Sequence, residues 1–128
     1  MGLRWRGKGY SSTRVVESRV RPGVRFCVLK MSFGRRVELM RRVREIARRV
    51  EFLATAEGVG EKMDAGLAQA EIERLYVTWG LKAVSGLVVD GEPATPEVLA
   101  ETGPEDLFRE ALALVRAETG LNEEERKN

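Results

Sequence analysis

The sequence contains no histidine and only one cysteine, Cys27. Without histidine, Ser-His-Asp and Cys-His catalytic arrangements and imidazole-ligated metal sites are excluded. A single cysteine forms neither an internal disulfide nor a zinc cluster. Since no base is available to activate it, we interpret Cys27 as a packed core thiol. Glycine-rich phosphate loops and calcium loops are missing as well. We therefore expect no enzyme activity, no catalytic residue, no cofactor and no metal, and a function based on binding.

Long apolar runs are also missing. No run approaches the roughly 18 residues of a membrane span, and no apolar segment follows the basic start as in a secretory signal. We therefore expect a cytoplasmic protein that does not act at a membrane. The length of 128 residues suits one domain. The expected organisation is a flexible basic arm (1–12), a single α+β domain (13–121) and a charged C-terminal tail (122–128).

Charge is distributed unevenly along the chain. Residues 1–50 carry 15 Lys/Arg and 3 Asp/Glu, whereas residues 90–128 carry 4 and 11. The basic half could meet an acidic partner such as nucleic acid. Alternatively, basic and acidic parts face each other within one chain or between copies. We favour the second interpretation, because a dedicated nucleic-acid binder usually keeps a clear positive excess.

Residue patterns predict an α+β fold, in which an N-terminal β-hairpin packs on a small helical domain. Alternating apolar residues indicate the hairpin, and Pro22-Gly23 marks its turn. Asp90-Gly91 indicates a second, short hairpin. Ser32 and Thr95 are predicted N-caps. The predicted elements are a hairpin at 13–31, a long helix from about Gly34 or Arg35 to 54, a second at about 61–81, a hairpin at 84–95, a short helix at 96–101 and a last helix from Pro104 to Gly120.

The first long helix combines an apolar arc with an arginine-rich back. The arc is roughly 140° wide at helical spacing, and we expect it to cover the N-terminal hairpin. Its members are Leu39, Met40, Val43, Ile46, Ala47, Val50, Leu53 and Ala54. On the back, Arg41, Arg44 and Arg48 are candidate partner-binding residues. The alternative is a solvated face, whose arginines pair with glutamates four residues away.

The second long helix has apolar residues on two sides. Trp79 belongs to one side, whereas Leu67, Ala70 and Val77 belong to the other. A helix that is apolar on two sides is buried on both, between elements of its own domain or against a partner. These four residues complete the predicted partner-binding set.

Several segments resemble one family in their order along the chain. They are RPGVRFCVLKMSFGRRVEL, AEIERLYVTWGLKAVSGLVVDGEPATPEVL, GPEDLFREALALV and the terminal LNEEERKN. Over roughly residues 20–128, the chain resembles tail assembly chaperones of bacteriophages and prophages. The resemblance implies a non-enzymatic protein that binds the tape measure protein, assists assembly of the tail tube protein around it and is not part of the finished particle.

Three other possibilities remain open at this point. One is a small nucleic-acid-binding or regulatory protein that uses the basic helix and the arm with Trp5 and Tyr10, whose rings stack on bases. Another is a structural component of the tail or the head–tail junction. Self-association is a further option for the charged faces.

Overall fold

The computed structural model describes residues 7–57 and 61–120, with the backbone alone at 53–57 and 61–65. An α+β fold is confirmed. The elements in chain order are β1 (Thr13–Glu17), β2 (Arg25–Leu29), α1 (Phe33–Glu57), α2 (Glu61–Gly80), β3 (Leu81–Ser85), β4 (Val88–Val89), β5 (Glu92–Pro93), α3 (Pro96–Thr102) and α4 (Glu105–Thr119). Residues 1–6 of the predicted arm (1–12) and the whole predicted tail (122–128) lie outside the described residues. No described helix is long and apolar enough to cross a membrane.

The main sheet has three antiparallel strands in the order β1-β2-β3, and β4 pairs with β5 in a separate hairpin. The predicted hairpins are present. The structure adds the strand β3, which begins at Leu81, the residue predicted to end the second long helix. The register shifts between Cys27 and Val28 where they face β3. Because of this bulge, Leu81 and Val84 are both buried although they stand three apart. The period-2 pattern that reveals a strand is therefore broken there.

The core lies between one face of the sheet and helices α2, α3 and α4. On β2, Phe26 and Val28 are buried, as the alternation predicts. Cys27 points to the opposite face and is only half-buried. Its predicted core position is therefore wrong, since successive strand side chains point to opposite faces. The buried side chains of this core cluster are Val24, Phe26, Val28, Val77, Leu81, Val84, Ala94, Leu99, Leu107, Ala111, Leu112 and Val115.

Helix α1 packs along α2 and contributes no residue to that described core cluster. The expectation that it covers the N-terminal hairpin is therefore wrong. Leu39 and Val50 are buried, but Met40 and Ala47, predicted to face the core, are exposed. The reason is geometric: a single neighbouring helix covers a narrower arc than a whole core does. The side chains of Leu53 and Ala54 lie outside the described residues.

Local signals at turns and helix ends are confirmed. The Ser32 hydroxyl accepts from the Arg35 amide at 3.3 Å, and the Thr95 hydroxyl accepts from the Val98 amide at 3.1 Å. These are the N-cap bonds expected of serine and threonine. Gly120 ends α4 in the left-handed conformation, with φ of 71°. These caps fix where α1, α3 and α4 begin or end.

Candidate interaction surface

One face of α1 is exposed to solvent although it is partly apolar. Phe33, Val37 and Met40 have 85%, 51% and 61% of their surface accessible. Arg44 and Ala47 continue the same face and are also exposed. We call the residues Phe33, Val37, Met40, Arg44, Ala47 and Arg48 the α1 stripe. The successive spacings of its first five members are four, three, four and three, which is the repeat of a coiled-coil seam. The stripe therefore has the pattern that receives another helix.

The orientation of the stripe is set by two arginines at the start of α1. Arg35 donates from Nη2 to the Trp79 carbonyl at 3.0 Å, and its guanidinium lies 3.7 Å from the centre of the Trp79 ring. Arg36 donates from Nη1 to the Thr119 carbonyl at 2.7 Å. These contacts join α1 to the ends of α2 and α4. Burial lowers the pKa of Arg35, with a smaller contribution from the charge of Arg42.

Arg41, one of the predicted partner-binding residues, is engaged within its own helix. It contacts the carboxylates of Glu38 and Glu45, each at 2.6 Å, and Arg42 contacts Glu38 at 2.7 Å. Hydrogen bonds from Arg41 and Arg42 lower the pKa of Glu38 to about 2. The same pairing raises the pKa of Arg41. This part of the basic face is therefore the self-paired solvated face that was the alternative interpretation.

Arg44 and Arg48 differ from Arg41. Both are exposed, and within the described parts of the chain neither side chain has a hydrogen bond or ion pair. They stand next to the apolar members of the stripe, one and two turns beyond Met40. The stripe thus presents an apolar end and a positively charged end. Its natural complement is an amphipathic segment that carries acidic residues.

The predicted residues of α2 do not form a common surface. Leu67 and Ala70 are exposed in the N-terminal part of the helix. Val77 is completely buried in the core, so it offers no surface to a partner. Trp79 is half-buried beneath Arg35. Helix α2 packs against α1 and also against α3 and α4.

Sequence reasoning missed Phe33 and Val37 as surface residues and placed Met40 on the wrong side of α1. The sequence does carry a signal for this surface, namely the 4-3-4-3 spacing from Phe33 to Ala47. These residues form a different face of the helix from Leu39, Val43 and Val50. Apolar residues occur on both sides of α1, however, and the sequence does not say which side meets α2.

A groove of about 260 Å³ lies between α1 and α2. Its charged lining is largely paired: Arg74 contacts Glu101 at 2.7 Å, and Arg49 approaches Glu71 at 3.9 Å. The groove is lined by Arg42, Glu45, Ile46, Arg49, Glu71, Arg74, Leu75 and Thr78. Because its arginines have acidic neighbours, it is a weaker candidate for a partner than the α1 stripe.

Within residues 7–57 and 61–120, no three potential metal-ligating side chains come together. Comparison of the chain with family models, curated proteins and solved structures finds no match to any of them. The interaction surface is therefore inferred only from the geometry and charge of the α1 stripe.

Proposed function

We propose that this chain acts without catalysis, by binding another protein, and that it is a tail assembly chaperone whose client is a tape measure protein. The observation that carries the proposal is the α1 stripe. It combines heptad spacing, exposed apolar side chains and two arginines without described partners. The stripe runs for about 22 Å along α1 at 1.5 Å per residue. A long helical client offers many segments that match such a surface. The choice of client rests on the resemblance of the sequence to tail assembly chaperones.

The composition of the stripe favours a protein client over nucleic acid. Arg44 and Arg48 are suited to contact phosphates, but Arg41 is already bound to two glutamates. Phe33, Val37 and Met40 lie beside the two available arginines. Contacts to the nucleic-acid backbone are mainly charged and polar, so an exposed apolar stripe has no role in them.

The test is co-expression with a tape measure protein encoded in the same gene cluster. The wild-type chain is expected to keep the client soluble and to co-purify with it. The variant Phe33→Ser/Val37→Ser/Met40→Ser should lose both effects. Its matched control is Val15→Ser/Val88→Ser, which changes residues equally exposed on other elements and should behave as wild type. The proposal is wrong if wild-type protein neither solubilises nor binds the client.

Two further measurements separate the alternatives. A nucleic-acid-binding protein would bind DNA or RNA with an affinity that falls steeply with salt and with Arg44→Ala/Arg48→Ala. A structural component of the tail would be found in purified particles by mass spectrometry, whereas an assembly chaperone would be missing from them.

A further inference from the structure

The end of α4 lies against the beginning of α1. Gly120 terminates α4, and the preceding carbonyl, that of Thr119, accepts the 2.7 Å hydrogen bond from Arg36. Arg36 lies in the first turn of α1. The described part of the chain therefore ends beside that turn, and the eight residues LNEEERKN follow Gly120 in the sequence.

From Arg36, a row of residues four apart continues along α1 through Met40, Arg44 and Arg48. Residues four apart are neighbours on a helix surface, so this row is continuous. Met40 is exposed and apolar, and the two arginines have no described partner. Starting at the point where the C-terminal segment emerges, the α1 stripe is thus first apolar and then basic.

The C-terminal segment has the complementary order. Leu121 comes first, and Glu123, Glu124 and Glu125 follow after one asparagine. Its reach also fits. Five extended residues span at most roughly 17 Å, and the rise from Arg36 to Arg48 is about 18 Å at 1.5 Å per residue. The long side chains of glutamate and arginine cover the remaining distance.

We propose that the C-terminal segment 121–125 occupies the α1 stripe of its own chain. Leu121 covers Met40, and the glutamates pair with Arg44 and Arg48. The segment is already attached beside the stripe, so its effective concentration there is on the order of millimolar. A second copy whose α1 runs parallel is a poorer occupant, because it would place Arg44 against Arg44.

A regulatory consequence, which rests on the proposed function, is that an acidic helical client must displace this segment. The wild-type chain would then bind the client more weakly than a chain whose segment has lost its charge. The contact itself is tested without any client, so its failure is distinguishable from failure of the proposed function.

The experiment places a nitroxide label near the chain end, using Asn128→Cys in a Cys27→Ser background of the full chain. The expected result is broadening of backbone amide signals at Arg44–Glu51 and none at Val88–Glu92. The triple variant Glu123→Gln/Glu124→Gln/Glu125→Gln should lose most of this broadening. The control Arg126→Gln/Lys127→Gln, at the two positions directly after that segment, should keep it. Raising salt should also remove it, since the screening length falls from about 10 Å at 0.1 M to 3 Å at 1 M.

Broadening that is missing at low salt, or that is unchanged by the triple glutamine variant, would overturn the proposal. Contact with a second copy is tested in a mixture of two kinds of chain, one with the nitroxide label and no isotopes, the other with isotopes and no label. Broadening of the amide signals in that mixture would equally overturn the proposal. Should Cys27→Ser fail to fold, amide shifts of the wild-type and triple-glutamine chains provide the same test without a label. Shifts at Arg44 and Arg48 are expected, and their absence would contradict the contact.

Discussion

Glu110 of α4 holds the loop between β1 and β2 through Ser18. The Ser18 hydroxyl donates to one carboxylate oxygen at 2.5 Å, and the Arg19 amide donates to the other at 2.7 Å. The same hydroxyl oxygen accepts from the Val20 and Arg21 amides at 3.1 and 2.9 Å. Ser18 is buried. One carboxylate thus organises a turn that is more than 90 residues away along the chain.

Replacing this carboxylate should weaken the fold more than replacing a surface one. Glu110→Gln removes one of the two acceptors beside the buried hydroxyl and should reduce the free energy of unfolding by about 1–3 kcal/mol. Glu118→Gln is the matched control, because Glu118 pairs with the exposed Arg14 and should cost less than about 1 kcal/mol. Urea unfolding measures both values. Equal losses for the two variants would contradict the assigned role of Glu110.

Gly80 is required by the packing of Val115. A Cβ at Gly80 would lie 2.5 and 2.9 Å from the two methyl carbons of Val115, which is buried. Gly80→Ala should therefore destabilise the protein by about 1–3 kcal/mol through overpacking. In the matched control Gly66→Ala, a Cβ meets nothing within 4 Å, and helix propensity should raise stability by up to about 1 kcal/mol.

A double-mutant cycle makes this prediction specific. Val115→Ala removes both methyl carbons, so Gly80→Ala should cost less in that background than in the wild type. The same cost in both backgrounds would show that Val115 is not the cause. Thermal and urea unfolding of the four proteins measure the coupling.

The stack of Arg35 on Trp79 should be specific for a guanidinium. Lysine cannot both lie flat on the ring and donate to the Trp79 carbonyl, so Arg35→Lys should cost about 1 kcal/mol. It should also change the fluorescence of Trp79. Arg48→Lys, at an exposed position of the same helix, should change stability by less than about 0.5 kcal/mol. An Arg35→Lys variant with wild-type stability and fluorescence would rule out this role.

The low pKa of Glu38 predicts how the stability of the protein changes at acidic pH. Its pKa of about 2 lies below the ordinary 4.5, because Arg41 and Arg42 donate hydrogen bonds to the carboxylate. A depressed folded-state pKa contributes stability above pH 4.5, and that contribution is lost as the pH falls towards 2. Carboxyl NMR titration should show Glu38 titrating near pH 2.

Substitution identifies the cause of that low pKa. Arg41→Gln should raise the pKa of Glu38 towards 4.5. Arg44→Gln, which removes an arginine without a described partner, should leave it near 2. An equal effect of the two substitutions would indicate a general influence of helix charge and not the assigned hydrogen bonds.

Much of the fold could be predicted because its signals are local. Ser32 and Thr95 marked helix starts through their hydroxyls, and Gly120 marked an end through its left-handed conformation. The alternation through Phe26 and Val28 identified the buried face of β2. β3 was not found, because its pairing with β2 contains a bulge that breaks the alternation. A bulge arises from the pairing of two distant segments, and neither segment alone carries its signature.

The sequence by itself determined the α+β class and the presence of apolar residues on two sides of α2. Only the tertiary structure decided which side of α1 is covered. It placed Leu39 against neighbours and Met40 in solvent, and it brought the end of α4 to Arg36. The physical reason is that a periodic pattern defines the faces of one helix, whereas burial depends on which other elements reach each face.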